Sequence, residues 1–79
     1  MVVNIKYFGL LNDNIPLSIE LPEGANLKTF KDLLIEKVDN QTADILNRAT
    51  FLVNKEKSEN DVILKNNDLI MILTVLGGG

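Results

Sequence analysis

An amphipathic helical segment, with short segments of strand periodicity before and after it, limits the folds that this chain can adopt. Within residues 27–38, apolar side chains recur at helical spacing at Leu27, Phe30, Leu33, Leu34 and Val38. Asn26 is suited to begin this helix, because its side chain can accept a hydrogen bond from a backbone amide of the first turn. One apolar helical stripe is covered by one apolar sheet face, so the pattern predicts a two-layer α+β fold.

Two segments before the helix alternate in the way that half-buried strands do. Residues 2–8 are rich in β-branched and aromatic side chains, and one side of them holds Val3, Ile5 and Tyr7. Residues 15–21 alternate again, and their apolar side holds Ile15, Leu17, Ile19 and Leu21. Pro16 cannot donate a ladder hydrogen bond, which predicts an edge strand. The two segments therefore predict a hairpin, with its turn at residues 11–14.

The segments after the helix complete the predicted sheet. A short second helix is expected to begin with Thr42 as its cap and to carry Ala43, Ile45 and Leu46. We then predict a strand at 51–54, an exposed charged loop at 55–61, a brief strand or turn at 62–64, a turn at 65–68 and a strand at 69–75. The first and last strands are the most apolar, so we expect them to be neighbours at the centre of the sheet.

This order of elements predicts a β-grasp, in which a mixed sheet packs on one main helix plus a short helix. At 79 residues the chain has room for one domain. We assign residues 1–76 to the β-grasp domain and residues 77–79 to a flexible C-terminal glycine tail.

The chemistry open to the chain is restricted because it contains no Cys and no His. A thiolate nucleophile, the commonest general base and the usual zinc ligands are therefore missing. The acidic side chains lie in predicted turns or on polar helix faces, where solvated surface is their ordinary state. We expect no metal site and no enzyme that acts alone, but a carrier, a binding module or a subunit that works with a partner.

The charge pattern points away from nucleic acids and membranes. The net charge is −3, and the basic residues are scattered without forming a stripe that would neutralise phosphates. A mildly acidic surface favours a basic partner. The apolar segment at residues 69–76 is shorter than the ~20 residues that span a bilayer, and the N-terminal residues lack the pattern of a signal peptide. The expected location is the cytoplasm.

The last predicted strand runs into Gly77, Gly78 and Gly79. A segment of glycines can lie extended in a narrow tunnel, because glycine reaches every backbone region and has no side chain. The carboxylate of Gly79 is also unhindered, so a nucleotide phosphate can reach it. A carboxylate is a poor acyl donor until it is coupled to a group such as AMP, and replacement of AMP by sulfur would store a thiocarboxylate. A frayed end without function is the alternative.

Several motifs together resemble the small subunit of molybdopterin synthase, the MoaD family, within the ubiquitin-like sulfur carriers that include MoaD and ThiS. The motifs are residues 6–11 (Lys-Tyr-Phe-Gly-Leu-Leu), 21–24 (Leu-Pro-Glu-Gly), 51–54 (Phe-Leu-Val-Asn), 67–70 (Asn-Asp-Leu-Ile) and 78–79 (Gly-Gly). They occur in the family's order and cover nearly the whole chain. The chain departs from the family at Asn12 and Asp13, where Arg-Glu is common, and at residues 74–76, which are often Pro-rich.

The resemblance implies a ubiquitin-like β-grasp fold and a role as sulfur carrier. In the family, a ubiquitin-activating-like adenylyltransferase uses ATP to adenylate the terminal glycine, and a sulfur donor converts it to a thiocarboxylate. The large synthase subunit then receives the tail, and sulfur moves to a pterin precursor of molybdenum cofactor. Here Gly79 would carry the sulfur and Gly78 would give steric access. The chain itself would bind no cofactor.

Strand alternation predicts the surface that partners contact. If Val3 and Ile5 face the helix, the side chains of Phe8, Leu52, Met71 and Leu73 point away from it, and Leu76 and Gly77 would continue the contact into the tail. Three other functions stay open: a sulfur carrier for thiamin thiazole synthesis, a ubiquitin-like protein modifier, and an interaction domain whose tail has no function.

Overall fold

A computed structural model describes residues 1–9 and 15–74 of the protein. In chain order, its elements are β1 Val2–Phe8, β2 Ser18–Glu20, α1 Leu27–Glu36, α2 Asn40–Asn47, β3 Thr50–Val53, β4 Glu56–Lys57 and β5 Leu69–Leu73. The predicted turn at residues 11–14 and the predicted tail at residues 77–79 lie outside the described residues. Neither helix in the described part has the length and hydropathy that a membrane span needs.

The five strands form one mixed sheet in the order β2-β1-β5-β3-β4. β1 and β5 are parallel neighbours at its centre, with Asn4 opposite Leu69 and Phe8 opposite Leu73. β2 pairs with β1 in the antiparallel direction, and β3 pairs with both β5 and β4 in the same way. The predicted pairing of the first and last strands is confirmed, and so is the edge position of β2.

The core lies between one side of the sheet, here named the inner face, and helix α1. Val3, Ile70 and Ile72 of the inner face are fully buried. From α1 they are met by Leu27, Phe30 and Leu34, which are fully buried as well. The rings of Phe30 and Phe51 pack edge to face with their centroids 6.3 Å apart. This burial confirms the predicted apolar stripe at Leu27, Phe30 and Leu34, whereas Val38 lies beyond the end of α1. The opposite side of the sheet, the outer face, has no covering layer among the described residues.

The two helices begin at polar caps. Asn26 accepts from the backbone amide of Thr29 at 2.9 Å, which confirms the predicted N-cap. The second helix begins earlier than predicted, because Asp39 rather than Thr42 is its cap and accepts from the Thr42 amide at 2.8 Å. Thr42 instead lies in the first turn, where it is 1% exposed. A carboxylate three residues before a free amide reaches it directly, so the cap lies one turn upstream of the first apolar positions.

The predicted strand at residues 15–21 is shorter in the structure and its alternation breaks at one position. Ile15, Ile19 and Leu21 are buried, but Leu17 is 84% exposed. The residue pairs with β1 end at Ser18, and although the Leu17 carbonyl oxygen accepts from the Ile5 amide, Leu17 lies next to Pro16, outside the regular pleat that the alternation assumes. The placement of Leu17 in the core was therefore wrong.

The predicted loop at residues 55–61 contains the short edge strand β4. Asn54 and Lys55 have positive φ angles of 51° and 72°. Two consecutive residues with positive φ form the tight hairpin turn whose twist matches that of the flanking strands. The turn places Lys57 opposite Leu52. At residues 62–64 a single bridge joins Ile63 to Asn26, which fits the prediction of a brief strand or turn.

Candidate functional site

The outer face carries an apolar patch formed by four side chains from three strands. Phe8 of β1 is 41% exposed, and Leu73 of β5 is 36% exposed. Leu52 of β3 and Met71 of β5 are half-buried. We name Phe8, Leu52, Met71 and Leu73 the outer patch. Burial alternates along each of the three strands, so these residues lie on the side of the sheet that α1 does not cover.

The strand register brings the patch together. Phe8 lies directly opposite Leu73, and Met71 lies directly opposite Leu52. Directly opposed side chains on one face of a sheet are close enough to contact each other. The structure therefore places four of the predicted partner-contact residues side by side. Their function as a contact surface stays a prediction, and Leu76, Gly77, Gly78 and Gly79 lie outside the described residues.

Two lysines flank the patch. Lys6 lies opposite Met71, Met71 opposite Leu52, and Leu52 opposite Lys57, so the four side chains form one row across the sheet. The Nζ atom of Lys6 lies 5.5 Å from the centre of the Phe8 ring, within the range of a cation–π contact. Sequence reasoning named neither lysine as a site residue. The alternation of β1 already places Lys6 with Phe8, whereas Lys57 joins them only through the β3–β4 hairpin.

The end of β5 is fastened to β1 at the corner of the patch. The backbone amide of Thr74 donates to the carbonyl oxygen of Phe8 at 3.2 Å, and the Thr74 hydroxyl donates to the same oxygen at 3.1 Å. Thr74 is the last described residue, so the segment that holds the three glycines begins at this corner. The side chains of Phe8 and Leu73 lie beside that starting point.

Gly9 is required for this corner to close. A Cβ atom on Gly9 would lie 2.5 Å from Oη and 2.6 Å from Cζ of Tyr7, and it would also collide with Oγ1 of Thr74. Real Cβ atoms do not approach that closely, so any side chain here must displace the Tyr7 ring or the Thr74 hydroxyl. Sequence reasoning missed this function of Gly9, because the approach to Thr74 exists only once β1 and β5 have paired, and apolar alternation does not show the approach to Tyr7.

Two of the sequence motifs, residues 51–54 and 67–70, are hydrogen-bonded to each other at the opposite end of β5. The Asn54 side chain donates to Asp68 at 2.9 Å and accepts from the Leu69 amide at 3.0 Å. Asp68 also accepts from the backbone amide of Lys65 at 2.8 Å. These bonds fix the turn at residues 65–68 against the start of β5 and the end of β3. Asn54 of the first motif and Asp68 and Leu69 of the second are therefore joined by hydrogen bonds that have a structural role. These bonds hold the strands of the outer patch in register.

The side chains of the patch decide what it can bind. Its four members offer hydrocarbon, an aromatic ring and a thioether, and the flanking lysines offer two ammonium groups. None of these six side chains is a carboxylate, imidazole or thiolate, so they cannot form a hard or borderline metal site. An exposed cluster of large apolar side chains within a polar rim is typical of a protein contact.

A separate cleft lies in the helix layer, with a volume of about 230 Å³ between α1, α2 and β3. Its floor includes Phe51, and its lining includes Lys31, Ile35, Leu46 and Asn60. The Lys31 ammonium lies 4.7 Å from the centre of the Phe51 ring and donates to Asn60 at 2.7 Å. The lysine thus already covers the aromatic floor, and its charge has partners within the protein.

Comparison with known proteins gives a family and a fold. The sequence matches the ThiS family over residues 5–79. No curated protein matches it.

Three solved structures share the architecture. SAMP1 from Haloferax volcanii has a TM-score of 0.80 at 13% identity, with 100% of each chain covered. A Pyrococcus furiosus protein assigned as molybdopterin converting factor subunit 1 has a TM-score of 0.78 at 20% identity, with 95% of this chain and 98% of that chain covered. A structure of the complex of subunits 1 and 2 of molybdopterin-converting factor from Helicobacter pylori has a TM-score of 0.68 at 21% identity, with 100% of each chain covered. The architecture is that of a ubiquitin-like β-grasp.

Proposed function

The chain belongs to the ThiS family, and from this premise we propose that it is a sulfur carrier that serves as the small subunit of molybdopterin synthase. Gly79 is the residue that is adenylated, converted to a thiocarboxylate and used as the sulfur donor. Gly78 leaves its carboxyl group open to the approaching enzymes. The chain acts in the cytoplasm and is not catalytic alone.

The observation that carries the proposal is the position of the outer patch beside the start of the glycine segment. Thr74 is bonded to Phe8, and Phe8 lies opposite Leu73. Gly79 lies five positions after Thr74, and an extended chain of that length reaches about 17 Å at most. A partner that docks on the outer patch can therefore receive Gly79 in a site within that distance, which couples recognition of the fold to chemistry on the tail.

The chemistry proceeds in three steps. An oxygen of the Gly79 carboxylate attacks the α-phosphorus of ATP and displaces pyrophosphate, which gives an acyl-adenylate. Hydrosulfide, supplied by a sulfur donor, then attacks the acyl carbon and displaces AMP, which leaves the thiocarboxylate. The thiocarboxylate sulfur finally attacks an electrophilic carbon of a pterin precursor and displaces an oxygen leaving group from it, and water then cleaves the acyl–sulfur bond, which leaves the sulfur on the pterin and returns Gly79 to the carboxylate.

The partners supply the reactive groups. A ubiquitin-activating-like adenylyltransferase binds ATP, and the large synthase subunit binds the pterin. The Helicobacter pylori structure, a complex of subunits 1 and 2 of molybdopterin-converting factor, supports a large-subunit partner. The absence of His and Cys from this chain fits a division in which the carrier delivers sulfur and the partner provides acid and base.

The first test is the intact mass of the protein after incubation with activating enzyme, ATP and a sulfur source. We expect one oxygen to be replaced by sulfur, and tandem mass spectrometry should locate the change at Gly79. A chain that lacks Gly78 and Gly79 is the control and should keep its mass. An unchanged mass of the full chain, with an activating enzyme shown to be active on another carrier, would contradict the proposal.

A second candidate function is favoured by the family match itself, since ThiS is the name of the family that the chain matches. In this case the same thiocarboxylate would deliver sulfur for thiamin thiazole synthesis. A chain tagged at its N-terminus, purified from its own cells, distinguishes the two. Recovery of the large synthase subunit favours the first function, and recovery of thiazole synthase favours the second. Covalent adducts of higher mass would instead identify a protein modifier.

A further inference from the structure

We propose that the large-subunit surface that covers the outer patch is apolar at its centre and carries two carboxylate groups, one on each side, which pair with Lys6 and Lys57. This inference deepens the proposed function and rests on it. It concerns the chemistry of the partner surface, which neither the family match nor the fold specifies.

The spacing of the two lysines follows from the strand register. Lys6, Met71, Leu52 and Lys57 are successive cross-strand partners on four adjacent strands. Neighbouring strands lie about 4.8 Å apart, so the Cα atoms of the two lysines are roughly 14 Å apart with the apolar pair between them. A partner that contacts Met71 and Leu52 therefore faces a lysine on each side of that contact.

Both lysines are held on this face by the structure. Lys6 is exposed, and its ammonium is positioned over the Phe8 ring, beside the patch. Lys57 follows the tight turn at Asn54 and Lys55, and its pairing with Leu52 puts its side chain on the outer face. By alternation, its neighbour Glu56 points to the other side of the sheet.

The charge of the outer face is opposite to that of the whole protein. The net charge of the chain is −3. Among the sheet residues that the structure describes, however, the outer face holds Lys6 and Lys57 and a single acid, Glu20, which lies on the far edge strand opposite Val2. The net charge of the chain favours a basic partner, but the lysines beside the outer patch favour a partner surface with acidic residues around its apolar centre. Charge complementarity at a contact is decided locally, because salt screens more distant charges.

The test measures the dissociation constant of the large synthase subunit for the carrier and its Lys6→Glu and Lys57→Glu variants. We expect each reversal to weaken binding by about five- to tenfold, mainly through a slower association rate, and Lys6→Ala by about twofold. The matched control is Lys37→Glu, which changes the net charge equally but lies at the end of α1, in the other layer. We expect it to stay within about twofold of the unmodified protein. Thermal melting should confirm that all variants are folded.

The outcomes separate this inference from the proposed function. If the unmodified chain binds and both reversals weaken binding more than Lys37→Glu does, the inferred carboxylates on the partner surface are supported. If the unmodified chain binds and the reversals behave like the control, the inference of partner carboxylates beside Lys6 and Lys57 is wrong and the proposed function stands. If the unmodified chain does not bind the large subunit at all, both are overturned.

Discussion

The two faces of the sheet are built from the same strands and differ in what covers them. On the inner face, Ile70 and Ile72 are fully buried under α1. On the outer face, their chain neighbours Met71 and Leu73 are half-buried and exposed, respectively. The side chains are of similar size and polarity, so the difference comes from parity along the strand and not from composition. The inner face stabilises the fold, and the outer face leaves apolar surface exposed.

The comparison is tested most directly by Ile72→Ala and Leu73→Ala, which truncate adjacent residues of β5. Ile72 is fully buried, so its truncation should lower the free energy of unfolding by about 2–5 kcal/mol. Leu73→Ala should cost less than about 1 kcal/mol but weaken binding of the large subunit by about tenfold or more. Urea unfolding and titration calorimetry measure the two effects. Equal losses of stability in the two variants would mean that the faces are not distinct.

The corner of the outer patch, where Thr74 at the end of β5 is bonded to Phe8 of β1, is tested by Gly9→Ala. The added methyl group must displace Tyr7 or Thr74, so we expect a loss of about 1–3 kcal/mol in the free energy of unfolding. We also expect faster hydrogen exchange at the Thr74 amide, because its bond to Phe8 lies at the site of the collision. Gly24→Ala is the control, since Gly24 has a φ of +83° and open space around it. The Gly24→Ala variant should be destabilised, while hydrogen exchange at the Thr74 amide stays unchanged.

The hairpin that places Lys57 on the outer face is tested by Lys55→Gly. Lys55 has a φ of 72°, a conformation that costs a side-chain-bearing residue more than glycine. We expect the free energy of unfolding to rise by about 0.5–1 kcal/mol, the steric relief less the entropy cost of glycine. Lys57→Gly, in the adjacent strand, should have the opposite sign. Destabilisation by Lys55→Gly would show that the lysine side chain contributes a contact of its own.

The smallest effect is expected at the helix layer, from the pH dependence of the α2 cap. The Thr42 hydroxyl and the Thr42 backbone amide lower the pKa of Asp39 below its usual value. Of the two, the amide bond at 2.8 Å is the well-formed one, because the hydroxyl has no partner in hydrogen-bond geometry within the described residues. Since the folded-state pKa is depressed, the carboxylate stabilises the fold above the unfolded-state pKa of about 3.9 and loses this contribution as the pH falls through the folded-state value.

The measurement for Asp39 is the difference in melting temperature between the unmodified protein and Asp39→Asn, followed from neutral to acidic pH. Asparagine keeps a cap acceptor but does not titrate, so the other carboxylates cancel in the difference. The advantage of the unmodified protein should shrink as the pH falls below 4. A difference that stays constant over this range would contradict the lowered pKa.

The parts of the fold that could be predicted are those with local periodicity. The bounds of β1, the start of α1 and the Asn26 cap follow from alternation, helical spacing and cap chemistry within a few residues. β4 has two charged residues and no periodicity, so only its pairing with β3 defines it. Leu17 kept the period of a strand just before the first β1–β2 residue pair, and although its carbonyl oxygen accepts from the Ile5 amide at 2.8 Å, its side chain is exposed.

The same distinction separates the predicted from the missed site residues. Alternation along β1, β3 and β5 sufficed to place Phe8, Leu52, Met71 and Leu73 on one face. Lys6 shares the parity of Phe8 and was accessible to the same argument. Lys57 is placed by the β3–β4 hairpin, whose second strand has no apolar periodicity, and Gly9 is constrained in part by Thr74, which is distant in sequence.

The parallel pairing of β1 with β5 has a consequence for biosynthesis. Asn4 pairs with Leu69, so the middle of the sheet stays open on the ribosome until β5 has emerged. The outer patch and the bonded corner at Phe8 and Thr74 are then completed together, in the same closing event. A nascent product that stops before β5 would present neither.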